Sequence, residues 1–372
     1  MNCYFDHSAT TPIDSFVSEW IQENQSIAFG NPSSTHAMGR KSKHILETAR
    51  QQLADVLGCA SKEIVFTGSG TEANNLVLYN LIHQEKQHII TSSIEHPAIL
   101  STLSYLEPFG LTFTLIPVDS TGTVNPQDIK KAIQSDTGLI SIMVANNEVG
   151  TIQPIDDCQQ IAQNFGIPFH SDGVQALGKI PIQDSIHNCD LMSFSSHKFY
   201  GPKGVGFLVK KDSLKLNPFI IGGGQEFNLR GGTENIIGIG AMALAAKSAI
   251  QSLEKSSKHI SNLERKCISG IREIDPKVVI HGNHQSHIPG LVSFAFNKVD
   301  NQTLLTQLDR AHIFASSGSA CHSGISTPSK VLATMGINED INLSTIRISF
   351  GKHNTQDEVD YFIQTLKSLI LK

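Results

Sequence analysis

The stretch Ser193-Phe194-Ser195-Ser196-His197-Lys198-Phe199-Tyr200-Gly201-Pro202-Lys203-Gly204 decides how the rest of the chain is read. An apolar run from Asp190 to Phe194 leads into it and predicts a short buried strand. The Gly and Pro residues after Lys198 predict a tight turn into a second strand, Val205 to Val209. Lys198 then stands on the turn leaving a strand, among small hydroxyl residues and a His. Poor hydration there lowers the pKa of a lysine and makes it a competent Schiff-base amine. Alone, the stretch reads more simply as a surface lysine at a β-turn. Its company in the chain points elsewhere.

Working outward, strand and helix patterns alternate. Strand-like runs lie at Glu63 to Thr67, His88 to Thr91, Thr112 to Pro117, Leu139 to Val144, Pro168 to His170, Asp190 to Phe194 and Val205 to Val209. Helical patterns fall at Thr35 to Leu57, Pro97 to Pro108, Asn125 to Gln134 and Ile155 to Phe165. Such alternation predicts an α/β fold with a mainly parallel sheet covered by helices. Polar residues just past the strands are the default place for a site, and His96, Asn147, Asp172 and Lys198 all occur there. A long helical stretch, Thr233 to Ile274, is expected to lead out of this large domain. Strand-like runs at Val278 to His281 and Leu291 to Phe296, a helix at Asn301 to Asp309 and a last helix from Thr355 then predict a smaller α+β domain. The expected division is 13–250 for the large domain, and 1–12 with 251–372 for the small one.

The chain has 372 residues, 40% hydrophobic and 17% charged, with a formal charge of -5. That is ordinary for a globular protein of two domains and carries no basic bias toward nucleic acid. No basic-then-apolar leader opens the chain, and no run of about 18 apolar residues occurs, so a cytoplasmic protein without a membrane span is expected. Six cysteines (Cys3, Cys59, Cys158, Cys189, Cys267, Cys321) are scattered without the spacing of a zinc ribbon or disulfide framework. Five read as buried small hydrophobes. Cys321 does not, because Ser317, Gly318, Ser319, Ala320, His322, Ser323 and Gly324 around it suit an exposed loop. His281, His284 and His287 lie in a polar loop and are not read as a metal site.

Two further features join Lys198. The segment Gly68-Ser69-Gly70-Thr71-Glu72-Ala73-Asn74-Asn75 links a strand to a helix, where backbone amides approach an anion at the positive helix end. It lacks the Gly-Lys-Ser/Thr of a nucleotide-triphosphate loop. Asp172, in Phe169-His170-Ser171-Asp172-Gly173-Val174-Gln175, follows another strand and reads either as a helix N-cap or as a partner for a ring nitrogen. A lysine amine, an acid for a pyridine nitrogen and a phosphate cup are what pyridoxal phosphate requires of its protein.

On these residues the chain resembles the cysteine desulfurases of the NifS/IscS type, fold-type I pyridoxal phosphate enzymes of the class V aminotransferase family. The matching stretches are Ala9-Thr10-Thr11-Pro12, Asn31-Pro32-Ser33-Ser34-x-His36, Gly70 to Asn75, Glu95-His96, Asn146-Asn147-Glu148-x-Gly150, Asp172-Gly173-x-Gln175, Ser195-x-His197-Lys198-x-Tyr200-Gly201-Pro202-Lys203-Gly204, Arg230-x-Gly232-Thr233 and Ser316 to Cys321. They span nearly the whole length.

The resemblance implies a large PLP-transferase-type domain, with pyridoxal 5'-phosphate held by Lys198 as a Schiff base. It implies that Asp172 pairs with the pyridine nitrogen, Gln175 with the ring hydroxyl, and His96 stacks on the ring. Gly70, Thr71, Ser195 and His197 are expected at the phosphate. Thr233 is expected at the phosphate of a second subunit, in a homodimer with shared sites. Asn147 and Arg347 position the substrate, L-cysteine. Lys198 moves the α-proton, His96 serves as acid or base, and Cys321 takes the sulfur as a persulfide while alanine leaves. No resident metal is implied, beyond a transient contact of Cys321 with an iron–sulfur cargo.

The loop from Cys321 through Pro328 to Leu332 is similar to the group that serves iron–sulfur scaffolds or other sulfur-acceptor proteins. Two departures concern the acceptor: His322 where Ser or Thr is commoner, and Asp6-His7-Ser8 for the more usual Asp-Asn-Asn. Selenocysteine lyase, another class V aminotransferase-type enzyme, and a silent scaffolding subunit are the competing readings.

Overall fold

A computed structural model describes residues 1–318 and 327–371. After a two-residue strand, β1 (Cys3–Tyr4), come seven strands that form one sheet. They are β2 (Ile64–Thr67), β3 (His88–Ser92), β4 (Thr112–Ile116), β5 (Thr137–Ser141), β6 (Phe169–Asp172), β7 (Leu191–Ser195) and β8 (Gly206–Lys210), in the order β2-β8-β7-β6-β5-β3-β4. From β7 to β4 every pair is parallel, whereas β8 runs antiparallel to both neighbours. The sheet is thus mainly parallel, as the alternation of patterns predicts, with one hairpin at the β7–β8 turn.

Helices cover both faces, which is why the inner strands are apolar rather than alternating. The two faces are still separable by the period of two. Val65, Ile89, Leu139 and Leu208 pack with helices Gly70–Tyr79 and Pro97–Leu106 on one side. Phe66, Ile90, Ile140 and Phe207 pack on the other with helices Ala37–Leu57 and Ile236–Gln251. The first of these helices ends in Gly58 at φ 73, the left-handed C-cap that glycine favours.

The long helix expected from Thr233 to Ile274 is two helices, Ile236–Gln251 and Leu253–Ile274, bent by 71°. The apolar spacing continues through Ser252, but its two halves serve different cores. Ala241, Met242 and Ala245 join the large-sheet core. Ile260, Leu263, Cys267 and Ile271 join a second core with Phe294, Ile348 and Phe362. That core wraps an antiparallel sheet of β9 (Val279–His281), β10 (Leu291–Ala295) and β12 (Thr345–Ser349), in the order β12-β10-β9. The first strand, β1, pairs in parallel with β11 (Ile313–Phe314), so Cys3 and Phe5 also enter this second core.

Candidate active site

The parallel strands of the large sheet deliver their C-terminal ends to one cleft of about 420 Å³. Asp172 ends β6 and Ser195 ends β7, while His96 and Asn147 follow β3 and β5 by a few residues. Ten of the predicted residues line this cleft: Gly70, Thr71, His96, Asn147, Asp172, Gln175, Ser195, His197, Lys198 and Arg347. Separated along the chain, they meet because a parallel sheet points all its strand ends one way.

Lys198 lies in the turn between β7 and β8. That turn is strained: Tyr200 has φ 68, a region costly for a residue with a side chain. Its backbone N–H donates to Thr11 Oγ1 at 2.8 Å, and its hydroxyl accepts from Lys352 N at 2.9 Å. Thr11 in turn donates through N and Oγ1, both at 2.9 Å, to the His197 carbonyl. The N-terminal segment therefore pins the lysine turn.

The Lys198 ammonium donates to the carbonyls of Ser8 at 2.6 Å and Ala9 at 2.8 Å. Desolvation, reinforced by the Arg347 guanidinium, lowers its pKa to about 8. Asp172 and Asp6 oppose that shift only in part. A usable fraction of free amine thus exists near neutral pH, as its sequence setting suggests.

Asp172 Oδ2 accepts from Asn74 Nδ2 at 2.7 Å, and Oδ1 accepts from Val174 N at 3.0 Å. The carboxylate is held still at the cleft wall. Gln175 Nε2 donates to Ser8 O at 2.9 Å. His96 caps helix Pro97–Leu106, its Nδ1 accepting from Ala98 N at 3.1 Å, which leaves the ring face at the cleft. Desolvation lowers its pKa, and Lys198 adds to the shift while Asp172 opposes it. His197 Nδ1 meets Thr10 Oγ1 at 3.1 Å, and burial lowers its pKa to about 4, so it is neutral at physiological pH.

At the other end of the cleft, helix Gly70–Tyr79 presents its N-terminus. Ser69 caps it by accepting from Glu72 N. First-turn amides have no partner within a helix and attract anions. Gly70 has no room for a side chain, because a Cβ would lie 2.7 Å from Val174 Cγ2 and 3.2 Å from Ser195 Cβ. Glu72 braces the loop before the helix, accepting from Gly68 N at 2.8 Å and from Arg230 Nε at 3.0 Å. A phosphate fits this end, a pyridine nitrogen fits Asp172, and an aldehyde fits Lys198. The residues present therefore suit pyridoxal phosphate.

Arg347 stands on β12, across the cleft from the large sheet. It donates from Nη1 to the Asn147 carbonyl at 2.9 Å and from Nη2 to Asp6 Oδ1 at 2.7 Å, while Nε is buried without a hydrogen-bond partner among the described residues. An unpartnered buried N–H beside a charged fork suits a carboxylate ligand. Asp6 has no local signal in the sequence that ties it to Arg347. Only the pairing of the chain's first residues with β12 brings them together.

Two carboxyls near the cleft, Glu95 and Glu148, fall in the matching stretches but received no role from the sequence. Glu95 is raised to about 8 by burial; its Oε1 accepts from Ser92 Oγ and Met143 N, and its Oε2 has no hydrogen-bond partner among the described residues. Glu148 is raised to about 7 by burial and accepts from Ser329 Oγ at 2.5 Å.

Thr233 is exposed and stands apart from the cleft. Cys321 and His322 lie outside the described residues, although Ser316, Ser317 and Gly318 on the approach to Cys321 line the cleft. Cys3, Cys158, Cys189 and Cys267 are buried and unpaired, whereas Cys59, just past the Gly58 cap of helix Ala37–Leu57, is only half-buried, contrary to the expectation of a core position. His281 Nε2 meets Thr345 Oγ1 at 3.0 Å and His287 Nε2 meets Glu264 Oε1 at 2.5 Å, so these two histidines serve separate protein partners.

Comparison with known proteins agrees with the geometry. The chain is 39% identical over 372 residues to a protein of Dictyoglomus turgidum named cysteine desulfurase IscS, covering 99% of this chain and 94% of that one. It is 38% identical over 370 residues to the mitochondrial cysteine desulfurase of Arabidopsis thaliana, covering 97% and 81%. Among solved structures, a NifS-like protein superposes with a TM-score of 0.94 at 38% identity, over all of both chains. A structure described as SspA in complex with cysteine superposes with a TM-score of 0.81 at 35% identity, over 95% of this chain and 100% of that one. The model of the aminotransferase class-V family matches residues 3–362, and the chain belongs to that family.

Proposed function

We propose that this chain is a pyridoxal 5'-phosphate-dependent cysteine desulfurase that moves sulfur from L-cysteine onto Cys321 and releases L-alanine. The observation that carries the reading is the convergence, in one cleft, of a depressed-pKa lysine, a fixed aspartate, a helix N-terminus and a carboxylate-seeking arginine. The names of its full-length relatives and the cysteine-bound neighbour support the same substrate.

In this reading Lys198 bonds the cofactor aldehyde, Asp172 faces the ring nitrogen, Gln175 the ring oxygen and His96 the ring. Gly70, Thr71, Ser195 and His197 hold the phosphate. The cofactor, when bound, supplies an electron sink for the pair released at the substrate α-carbon. Arg347 and Asn147 orient the substrate carboxylate, and Lys198 takes and returns the α-proton. His96 holds or moves the thiol proton; its Nδ1 is engaged by Ala98 N, so Nε2 is the ring nitrogen that carries the proton. The Cys321 thiolate forms the new S–S bond as the substrate C–S bond breaks, and the carbon fragment is protonated to alanine. Gly318, which lines the cleft, precedes Cys321 by three residues, at most about 10 Å of extended chain.

A cytoplasmic homodimer is part of the proposal, with Thr233 extending to the phosphate of the second site. Its exposure away from its own cleft, together with exposed Ile221 and Phe227 in the segment before it, supports this. The persulfide then passes to an acceptor protein such as an iron–sulfur scaffold. We also propose that 13–250 and 1–12 with 251–372 act as the two domains, in line with the two cores.

Replacement of the sulfur-accepting thiol tests the reading. Cys321→Ser is expected to keep the visible cofactor band and to lose persulfide formation, with alanine release falling by about 10²-fold or more. Alanine release at the full rate from that variant would rule out the persulfide route.

A further inference from the structure

Lys179 has no part in the reaction outlined above, yet it stands directly behind the cleft. Its ammonium donates to Gln175 Oε1. Lysine has donors only, so this contact fixes which end of the Gln175 amide is oxygen. The Nε2 end is left facing Ser8, to whose carbonyl it donates at 2.9 Å. The same Ser8 carbonyl accepts from Lys198 Nζ at 2.6 Å. Lys179, Gln175, Ser8 and Lys198 thus form one continuous polar chain that ends at the reactive amine.

The surroundings of Lys179 are unfavourable for a cation held only for stability. The charges that reach it are Lys198 and Arg347, both repulsive, and with desolvation they lower its pKa to about 7. Among the described residues only a neutral amide oxygen compensates it, which is weak return for a desolvated ammonium.

We propose that Lys179 is a positioning residue that locks the Gln175 amide so that Nε2 stays a donor toward the ring oxygen of the cofactor. This inference rests on the cofactor reading given above. With the amide reversed, two acceptors would face each other. With Nε2 inward, a negative ring oxygen is stabilised, and the proton it shares with the Lys198 nitrogen leaves at lower pH.

The test uses the full-length protein loaded with pyridoxal 5'-phosphate, with the visible band followed from about pH 6 to about pH 10. Lys179→Met is expected to raise the midpoint by about one pH unit, the size of one lost polar contact. Lys179→Arg, which keeps a donor, is expected to leave the midpoint near its original value. Gln175→Leu should raise the midpoint alone, and adding Lys179→Met to it should move the midpoint no further. An unmoved midpoint in Lys179→Met overturns the proposal. An equal shift with and without Gln175 also overturns it, since Lys179 would then act as a remote charge. If Lys179→Met does not fold, Gln175→Glu serves instead: it keeps Lys179 partnered but offers no donor, so an unchanged midpoint overturns the proposal. A wild-type protein that gains no visible band overturns the cofactor reading itself, whereas a band that these variants fail to move overturns only the role of Lys179.

Discussion

Two lysines sit at opposite ends of the β7–β8 hairpin, Lys198 in its turn and Lys210 at the far end of β8, and each donates to two backbone carbonyls. Lys210, at the end of β8, reaches Lys211 O at 3.1 Å and Leu214 O at 2.8 Å. Lys198, past the end of β7, reaches Ser8 O and Ala9 O. Desolvation lowers both pKa values, but nearby Asp212 and Glu63 pull Lys210 back, while Arg347 pushes Lys198 further down. The carbonyls of Lys210 belong to its own turn. Those of Lys198 come from the far end of the chain, and the amine is left facing an open cleft. A buried lysine is therefore not a site in itself. What makes one is distant chain that holds the amine without neutralising it, beside an acid and an anion cup.

The largest effect expected from this comparison separates the two lysines directly. Lys198→Ala should lose the visible cofactor band and all turnover, whereas Lys210→Met should keep both and change unfolding free energy by about 1 kcal/mol or less. Comparable activity in the two variants would erase the distinction. A smaller effect is expected at the arginine that biases Lys198. Arg347→Ala leaves Asp6 unpaired and removes the carboxylate fork, so kcat/KM for cysteine should fall by about 10²-fold, chiefly through KM. A loss confined to kcat would instead place Arg347 in the transition state alone.

The smallest effect is a pH dependence. Because the folded pKa of Lys198 is lowered from 10.5 to about 8, free amine accumulates as pH rises through about 8. Cofactor uptake by the apo-protein should then speed up across that range rather than near 10.5. The sign for stability follows: the unfolded chain binds the extra proton between those two values, so this lysine makes the fold more stable as pH rises from about 8 to about 10.5. Stopped-flow absorbance against pH checks the uptake, and a rise centred near 10.5 would place the amine in ordinary solvent.

What could be read from the chain is what local pattern encodes. Strand, turn and helix follow from apolar period and from Gly and Pro, so Lys198, Asp172 and the Gly70 turn were legible as strand-end residues. Asp172 and Gly70 also show why: the first is the last residue of a buried strand and the second opens a new helix. The Asp6–Arg347 pair was not legible, because it depends on a sheet register that joins opposite ends of the chain. Nor were the Ser8 and Ala9 carbonyls, which are backbone atoms with no side-chain signature. The break at Ser252 was hidden because helical spacing says that a face is apolar, not which core it will meet. Lys179 carries no local signal either, because its contact with Gln175 depends on how the intervening turn folds.

The contacts made by Ser8 and Ala9 bear on the order of events during synthesis. Ser8 and Ala9 precede the amine they cradle by 190 and 189 residues, and Ser349, whose Oγ accepts from Ser8 N, lies 341 residues after Ser8. The pocket floor is therefore completed only after β12 has been made. Until then a growing chain carries its nucleophilic lysine without that floor, and capture of the aldehyde waits for β12.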